Sequence, residues 1–366
     1  MNICIVVGAR PNFIKVAPII RAIAKAHEEG RDISYKLVFT GKEDDKTIED
    51  SLFDDLQINR PDFYLGVDCD NLNELTGLVM SKFELYLQHN PTDTVIVVDD
   101  LASTMAAAIV TKKQGIRLAH IAAGTRSFDI TMPKEINRLV IDGLSDILFT
   151  AGISNNNIAN KEGAELNKVY MVGNILIDNL RYNHSRLKRP AVLDKLGLEE
   201  QKYIVFTLNR KALIGDEAHL EKLIKAMVRG MKDSTMPIIA SLRGKAAKVV
   251  ADIVASTSFP SIMKIIEPQS YLDFGYITAN ACGIITDSGN VAEEATFNQI
   301  PCITLNSYTE HIETVKVGTN VLVGEDPDSL SKALEDMVDG NWKKAGIPDR
   351  WDGRSAERIV QIICGE

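Results

Sequence analysis

The chain has 366 residues, 45% of them hydrophobic and 25% charged, and its net charge is −9 at pH 7. That length exceeds what one hydrophobic core usually supports, so we expect two domains. The acidic charge argues against nucleic acid and anionic membranes as partners, because both attract a basic surface.

The first half alternates short apolar runs with longer stretches of helical periodicity. Runs that are apolar at every position are typical of strands buried on both faces, and the intervening helices indicate parallel connections. The predicted strands are residues 2–8, 35–41, 94–100, 117–124, 146–152 and 168–174. They predict an α/β domain over residues 1–175, with a doubly wound, Rossmann-like sheet.

The same pattern begins again after a polar, basic stretch at 181–190. The second set of predicted strands is residues 203–210, 237–244, 262–268, 281–289, 301–307 and 319–325. We predict a linker near 174–190 and a second Rossmann-like domain over 176–354, with an amphipathic helix at 355–366 that packs back on the first domain. Because ligands bind at the carboxyl ends of such strands, the cleft between the two domains is the expected site.

No segment of the sequence predicts a metal centre or a membrane span. The five cysteines are scattered and lack CxxC spacing, and the six histidines form no ligand cluster with them. Unpaired thiols of this kind fit a reducing compartment, so we expect a cytoplasmic protein. No apolar run approaches the roughly 18 residues that a transmembrane helix needs.

A glycine, an arginine and a lysine surround the start of the first predicted helix. In GARPNFIK, residues 8–15, Gly8 permits a tight turn and Pro11 fits the first turn of a helix. A helix N-terminus with Arg10 and, one turn later, Lys15 is able to bind an anion. A solvated arginine and lysine on a helix face would produce the same short pattern.

Acidic residues follow the predicted strand at 94–100 and begin a later helix. Because successive strand residues point to opposite faces, we expect one of Asp99 and Asp100 to face the cleft and the other to be a cap or surface group. The segment MPKEINR places Glu135 on a predicted helix. His120 ends an apolar strand, and we expect it to be a hydrogen-bonded structural residue.

A strand-to-helix turn in the second half has the composition of a phosphate site. In ITDSGNVAEEA, residues 285–295, Ser288 is a good helix cap, and the N–H groups of Gly289 and Asn290 follow it. Glu294 is near enough along the helix to bind a ribose. An ordinary capped helix with surface acids is the alternative interpretation.

Two aromatic residues lie one helical turn apart in YLDFGYITANA, residues 271–281. Either ring, of Tyr271 or of Phe274, is able to stack on a base. An aromatic pair at this spacing is more often part of a hydrophobic core, so both interpretations stay open.

Seven motifs stand in a fixed order along the chain: GARPNFIKVAP, MPKEINR, VGN with ID, YLDF, TDSG…EEA, VGTNVLVG and WDGRSAERIV. In that order they resemble the non-hydrolysing UDP-N-acetylglucosamine 2-epimerases, and the resemblance covers essentially the whole chain. The GARPxFIK and RSF…MPxEINR variants are most similar to the branch that acts on UDP-2,3-diacetamido-2,3-dideoxyglucuronic acid. The resemblance implies the GT-B fold, in which two Rossmann-like domains face a central cleft.

The resemblance also implies a reaction. UDP is eliminated across C1–C2 of a UDP-GlcNAc-like sugar and then re-added, with the proton returning to the other face of C2. This chemistry needs an acid and a base near C2 and groups that bind the leaving diphosphate. No nicotinamide and no metal is required, the product serves surface polysaccharide synthesis, and family members are commonly homodimers.

Residue roles are carried over by matching motif positions. The family's catalytic acids match Asp100 and Glu135. The ligand-binding positions match Arg10 and Lys15 around the diphosphate and sugar, Phe274 beside the uracil, Ser288, Gly289 and Asn290 at the diphosphate turn, and Glu294 at the ribose.

Several positions depart from the family pattern, and they concentrate on proton-transfer groups. Ala122 stands where the family has a catalytic glutamate, and Asn209 stands where it has a catalytic histidine. Asp99 replaces a glycine, and Asn290 replaces the second glycine of the diphosphate turn. The Gln-His pair that helps form an allosteric UDP-sugar site in bacterial members is here residues 42–43, Lys and Glu.

Three hypotheses follow from this combination. The first is an active 2-epimerase in which Asp100 and Glu135 move the proton. The second is a catalytically silent homologue that binds UDP-sugar, alone or paired with an active paralogue, because losing one positioned acid or base costs about 10²–10⁴ in rate. The third is a changed reaction on a UDP-sugar, such as glycosyl transfer or hydrolysis, since a fold does not fix a function.

Overall fold

Two parallel sheets organise the chain, and this computed structural model describes residues 1–162, 168–232, 234–256 and 262–365. The first sheet has the order β3-β2-β1-β4-β5-β6-β7 and the second the order β10-β9-β8-β11-β12-β13. The strands are β1 (Asn2–Val7), β2 (Ser34–Phe39), β3 (Phe63–Tyr64), β4 (Thr94–Val98), β5 (Arg117–Ile121), β6 (Ile147–Thr150), β7 (Val169–Met171), β8 (Ile204–Phe206), β9 (Ile238–Ser241), β10 (Met263–Ile266), β11 (Gly283–Thr286), β12 (Cys302–Thr304) and β13 (Asn320–Leu322).

Helices connect these strands, as the alternating sequence pattern predicts. They are α1 (Arg10–Glu28), α2 (Asp50–Leu56), α3 (Leu72–His89), α4 (Ala102–Lys113), α5 (Pro133–Leu144), α6 (Ile153–Lys161), α7 (Ile175–Asn183), α8 (Ala191–Lys195), α9 (Lys211–Gly215), α10 (Glu217–Met231), α11 (Gly244–Ser256), α12 (Tyr271–Ala279), α13 (Gly289–Asn298), α14 (Glu313–Lys316), α15 (Pro327–Val338) and α16 (Ser355–Ile363). Among the described residues, no helix is long and apolar enough to span a membrane.

The apolar strands are buried on both faces, which is why they lack a polar alternation. In β8, Ile204 and Phe206 belong to a core cluster with residues of α10, α11 and α15. Tyr203, just before β8, and Val205 belong to a second cluster with residues of α12 and α13. Because neighbouring strand residues point to opposite faces, each strand must be apolar throughout. The α/β fold predicted from the sequence is therefore confirmed.

Each sheet has one place where the strand order reverses. In the first sheet this switch point lies between β1 and β4, and in the second it lies between β8 and β11. Crossovers leave such a point in opposite directions, so the loops at the carboxyl ends of its two strands open a crevice. Every motif loop singled out at 8–15, 99–100, 209–210 and 287–290 follows one of these four strands.

The chain divides into two units, Met1–Tyr182 with Asp349–Glu366, and Asn183–Pro348. The boundary expected between residues 175 and 176 would cut α7 near its start. The two units divide instead between Tyr182 and Asn183, so that α7 except for its last residue belongs to the first unit. Its apolar residues explain this, because Ile175, Leu176 and Ile177 are buried. The segment near 174–190 is largely helical rather than an open linker, since a 3-10 helix, His184–Arg186, follows α7 directly.

A carboxylate from α7 caps the helix that returns to the first unit. Asp178 accepts hydrogen bonds from Ser355 N at 3.2 Å and Ala356 N at 2.8 Å, at the start of α16. Burial raises the pKa of Asp178 to about 6, although both hydrogen bonds act in the opposite direction.

This buried carboxyl group predicts a pH-dependent stability. An unfolded aspartate has a pKa of about 3.9, so the folded state binds the proton more tightly and the free energy of unfolding falls as pH rises from about 4 to about 6. Over the whole titration, from below about pH 3 to above about pH 7, the wild type should lose about 3 kcal/mol relative to Asp178→Asn, with about 2 kcal/mol of that loss between about pH 4 and pH 6. Urea unfolding of both proteins at several pH values measures this difference, and a constant difference would contradict it.

Candidate functional site

The turn after β1 is fixed by a tight backbone approach. Gly8 N donates to Asn12 Oδ1 at 3.0 Å, and a Cβ atom at position 8 would lie 2.2 Å from Ser103 Oγ. A side chain at position 8 would require Ser103, on α4, to move, so glycine suits this contact. Pro11 occupies the first turn of α1, so Arg10 and the N-terminal N–H groups of the helix are placed at the first switch point.

A buried lysine pairs with an aspartate across that switch point. Lys15 Nζ lies 2.5 Å from Asp99 Oδ1, and Asn12 Nδ2 donates to Asp99 Oδ2 at 3.0 Å. The lysine and aspartate side chains are only 10% and 18% exposed. Asp99 has a φ of 59°, in the left-handed region that costs a residue with a side chain about 1 kcal/mol.

Asp100 is held by a second ion pair. Arg138 donates to Asp100 Oδ2 from Nε at 2.8 Å and from Nη2 at 2.6 Å, and Asn137 Nδ2 donates to the Asp100 carbonyl at 2.8 Å. The expectation that one of Asp99 and Asp100 is a cap or surface group is therefore wrong. The strand ends at Val98, and the left-handed backbone of Asp99 breaks the alternation on which that expectation depended.

Glu135 also pairs with Arg138, and its carboxylate accepts four hydrogen bonds. Arg138 Nη1 donates to its Oε2 at 3.1 Å, as do Ser127 N and Ser127 Oγ at 2.9 Å, and Phe128 N donates to its Oε1 at 3.0 Å. Burial of the 2% exposed carboxylate opposes ionisation, but these donors outweigh it and lower the pKa of Glu135. In this arrangement the residue anchors a loop and a cation.

A second charged cluster lies beneath the loop after β5. His120 contacts Asp142 Oδ1 through Nδ1 at 2.6 Å and the Asp99 carbonyl through Nε2 at 2.9 Å. Both partners, a carboxylate and a backbone carbonyl, are hydrogen-bond acceptors. Burial disfavours charge on Asp142, but His120 and Arg126 outweigh it and lower the pKa of Asp142. As expected from the sequence, His120 is a hydrogen-bonded structural residue.

Positive φ angles occur in the loop after β4, at the first switch point, and in the loop after the neighbouring strand β5. Among the described residues, eight with side chains have positive φ, and three of them are Asp99, Ala122 (65°) and Phe128 (61°). Strain of this kind clusters at functional sites. Ala122 is partly exposed and offers only a methyl group.

The second switch point is built on Asp287, directly after β11. Its Oδ2 accepts from Asn209 N at 2.8 Å and Arg210 N at 2.6 Å, which ties the loop after β8 to the loop after β11. The Asp287 Oδ1 atom is buried and has no hydrogen-bond partner among the described residues. Arg210 in turn pairs with Glu325. The side chain of Asn209 is exposed.

Helix α13 begins at this point. Ser288 is its N-cap, although its Oγ accepts from Val291 N at a long 3.5 Å, and Gly289 and Asn290 supply N–H groups that the helix itself leaves unused. Further along α13, burial and the neighbouring charge of Glu293 raise the pKa of the partly buried Glu294 to about 7. His311 Nδ1 lies 3.3 Å from Glu293 Oε1 without hydrogen-bond geometry.

The remaining predicted residues lie in less distinctive surroundings. Phe274, on α12, packs against the hydrophobic core and is partly exposed. This placement fits both the core interpretation and the interpretation that the ring stacks on a base. Helix α12 also packs against α13. Lys42, in the loop after β2, forms an exposed ion pair with Asp68 at 2.6 Å, and the adjacent Glu43 is exposed.

The structure therefore joins predicted residues in three sets, two in the first unit and one in the second. Lys15 is joined to Asp99, Asp100 to Glu135 through Arg138, and Asn209 to Asp287, the residue before Ser288. The sequence predictions gave no role to Asn12, Arg138 or Asp287. Arg138 lies three residues after Glu135, a helical spacing that signals a pair on one face, whereas Asn12 offers no comparable signal.

Two Rossmann-like sheets in one chain, each with charged loops at its switch point, define a protein of the GT-B class. A family model for UDP-N-acetylglucosamine 2-epimerase matches residues 25–364. The chain belongs to the UDP-N-acetylglucosamine 2-epimerase family.

Individual relatives cover the whole chain. It is 34% identical over 372 residues to the UDP-N-acetylglucosamine 2-epimerase of Methanocaldococcus jannaschii, with 99% of both chains covered. A crystal structure of that archaeon's enzyme in complex with UDP-GlcNAc and UDP superposes with a TM-score of 0.86 at 33% identity, covering 100% of both chains. Identity to the UDP-2,3-diacetamido-2,3-dideoxy-D-glucuronate 2-epimerase of Pseudomonas aeruginosa is 31%, covering 92% of this chain and 94% of the relative. These similar identities do not separate a neutral from an acidic sugar.

Proposed function

We propose that this protein binds a UDP-sugar of the UDP-N-acetylglucosamine type and inverts it at C2 by eliminating and re-adding UDP. The observation that supports this most directly is the placement of two family motifs, GARPNFIKVAP and TDSG…EEA, which directly follow the switch-point strands β1 and β11. Those are the positions where doubly wound sheets bind nucleotides. The relatives' names supply the sugar and the reaction class.

We propose that the second unit binds the nucleotide. The N-terminus of α13, with the N–H groups of Gly289 and Asn290, suits a diphosphate, because unused helix N–H groups and the helix dipole attract anions. Glu294, in the next turns of the same helix, would accept from the ribose hydroxyl groups. Phe274 would lie beside the uracil.

The first unit supplies the proposed chemistry at C2. Asp100 is the candidate base, because the protein engages its Oδ2 while none of the described residues hydrogen-bonds its Oδ1. It would take the C2 proton while the C2–H electron pair forms the C1=C2 double bond and the electron pair of the C1–O bond leaves with UDP. Glu135 is then a positioning residue, since its four hydrogen bonds hold Arg138 and the 127–128 loop.

The return proton must reach the other face of C2. The family glutamate there is replaced by the partly exposed Ala122, and the proposal assigns this proton to solvent. Turnover should then be about 10²–10⁴ slower than in a member that retains the acid. A homodimer and a cytoplasmic role in surface polysaccharide synthesis are proposed from the family resemblance alone.

The second candidate is a catalytically silent UDP-sugar-binding homologue, alone or beside an active paralogue. Two observations favour it: Ala122 and Asn209 carry no titratable group, and Glu135 has a lowered pKa. Calorimetric titration with UDP-GlcNAc, with ADP-glucose as control, tests the binding that both candidates share. Equal or absent heats for the two nucleotides would contradict both of them.

Binding should depend on pH through Glu294. Because the pKa of this carboxyl is about 7 in the free protein and ribose hydroxyl groups donate to its ionised form, affinity for UDP-GlcNAc should rise as pH increases from about 5.5 to 7 and then level off. Each pH unit below 7 should cost about tenfold in affinity. UDP-GlcNAc suits the measurement because its diphosphate is esterified at both ends.

Glu294→Gln is the control for this prediction, because it keeps the size and removes the titrating group. The pH dependence should be lost in this variant, together with the contribution that the Glu293 charge makes through the pKa of Glu294. A pH dependence that survives in Glu294→Gln would contradict its assignment to Glu294.

A further inference from the structure

We propose that His120 and Asp142 are positioning residues for the reaction at C2, because together they fix the peptide unit that precedes Asp100. The proposal rests on the proposed function and concerns the geometry of its candidate base. Both residues would act through the backbone of Asp99 rather than on the sugar itself.

His120 connects helix α5 to the loop that carries the candidate base. Its Nδ1 lies 2.6 Å from Asp142 Oδ1, on α5, and its Nε2 lies 2.9 Å from the carbonyl oxygen of Asp99. That carbonyl belongs to the peptide bond between Asp99 and Asp100. The side chains of His120 and Asp142 are 2% and 7% exposed, so water competes little for either contact.

The backbone of Asp100 is held on both of its sides. His120 contacts the carbonyl before it, and Asn137 Nδ2 donates to the Asp100 carbonyl at 2.8 Å. Asp99 has a φ of 59°, and a left-handed residue with a side chain persists only where the surrounding contacts enforce it. Loss of the His120 contact should therefore let the peptide between Asp99 and Asp100 rotate and displace the base.

The other oxygen of the Asp142 carboxylate fixes the loop after β5. Its Oδ2 accepts from Gly124 N at 3.0 Å and lies 2.8 Å from Arg126 Nη2. Asp142 follows Arg138 by four residues, so the two side chains lie on one face of α5. That face holds the carboxylate of Asp100 directly, through Arg138, and its backbone indirectly.

Filling the space beneath these loops does not require a buried polar pair. Apolar side chains of similar volume are often as stable or more stable, because an ion pair gives up hydration when it is buried. The benefit of His120 and Asp142 is directional, since their hydrogen bonds fix a backbone carbonyl and a loop. A catalytic group displaced by about 1 Å reacts about 10²-fold more slowly.

Two substitutions of His120 separate its two contacts. The side-chain nitrogen of asparagine is as far along the chain as imidazole Nδ1, so His120→Asn can keep the contact with Asp142 and loses the one with Asp99. The side-chain nitrogen of glutamine matches imidazole Nε2, so His120→Gln can keep the contact with Asp99 and loses the one with Asp142. Both substitutions remove the ring, and a purely structural role predicts similar effects of the two.

Exchange of the C2 proton of UDP-GlcNAc in deuterated buffer measures the effect. His120→Asn should exchange about 10²-fold more slowly than the wild type, and His120→Gln at least about tenfold faster than His120→Asn. Calorimetry should show an affinity for UDP within about threefold of the wild type in both variants. Equal exchange rates in the two folded variants, whether reduced or not, would overturn the proposal.

Asp142→Asn tests the proposal independently if the His120 variants fail to fold. An amide offers one acceptor oxygen, so this variant cannot serve both His120 and the loop after β5, and exchange should slow by about tenfold or more. Asp146→Asn is the matched control, because Asp146 pairs with Lys112 and accepts from Leu118 N at 2.8 Å, near the amino end of β5. The control should keep the wild-type rate.

The outcomes separate the proposal from the proposed function. If Asp142→Asn exchanges at the wild-type rate, the positioning role is wrong while the proposed function stands. If the wild type itself exchanges no C2 proton, the proposed reaction fails and the positioning role fails with it.

Discussion

Asp100→Asn should slow proton exchange at C2 of UDP-GlcNAc by about 10²–10⁴-fold and leave the affinity for UDP within about threefold of the wild type. The substitution keeps the size of the side chain and leaves an oxygen to accept from Arg138, but an amide cannot take up a proton near neutral pH. Loss of the C2 proton signal in deuterated buffer, followed by NMR, measures the rate.

Asp93→Asn provides the control, because it makes the same substitution at the other end of β4, where the exposed Asp93 carboxylate accepts from Asn2 N at 2.7 Å. Its exchange rate should equal that of the wild type. If Asp100→Asn exchanges at the wild-type rate, another group removes the proton and the assignment of the base is wrong. If Glu135→Gln instead abolishes exchange without loss of stability, the positioning role of Glu135 is wrong.

Arg138→Met should destabilise the first unit by about 3–5 kcal/mol. Arg138 has a side chain that is 5% exposed and lies between two carboxylates, those of Asp100 and Glu135. Removing it leaves both anions partly or fully buried without their counter-ion, and this costs more than the ion pair itself contributes. Urea unfolding followed by circular dichroism measures the change.

Arg60→Met is the matched control for a pair of the same type on the surface. Arg60 pairs with Asp50, and their side chains are 41% and 80% exposed. Its loss should cost less than about 1 kcal/mol. Equal effects of the two substitutions would show that the Asp100–Arg138–Glu135 cluster is not a buried, mutually dependent unit.

Much of the fold follows from local pattern. Parallel strands buried on both faces must be apolar throughout, so an apolar run such as residues 94–98 is recognisable as a strand from the sequence. Twelve of the strands coincide with predicted runs. The exception is β3, which has only the two residues Phe63 and Tyr64. A pair of that length has no periodicity to detect.

The site was less accessible to sequence reasoning, for a physical reason. The sequence identified which residues have suitable chemistry, but their protonation and availability depend on partners far away in the chain. Asp99 meets Lys15, and the carboxyl group of Asp287 meets the backbone of Asn209 and Arg210. The motif predicts that Glu135 is a catalytic acid, and its four hydrogen bonds and lowered pKa are the reasons why we propose a positioning role for it instead.

Incubation of the wild-type protein with UDP-GlcNAc in deuterated buffer tests the central claim most directly. The account predicts that the C2 proton signal disappears and that the C2 epimer of the sugar nucleotide accumulates, slowly but in proportion to the protein concentration. A C2 proton that persists under conditions where calorimetry shows the site to be saturated would contradict it. The protein would then be a UDP-sugar-binding homologue without epimerase activity.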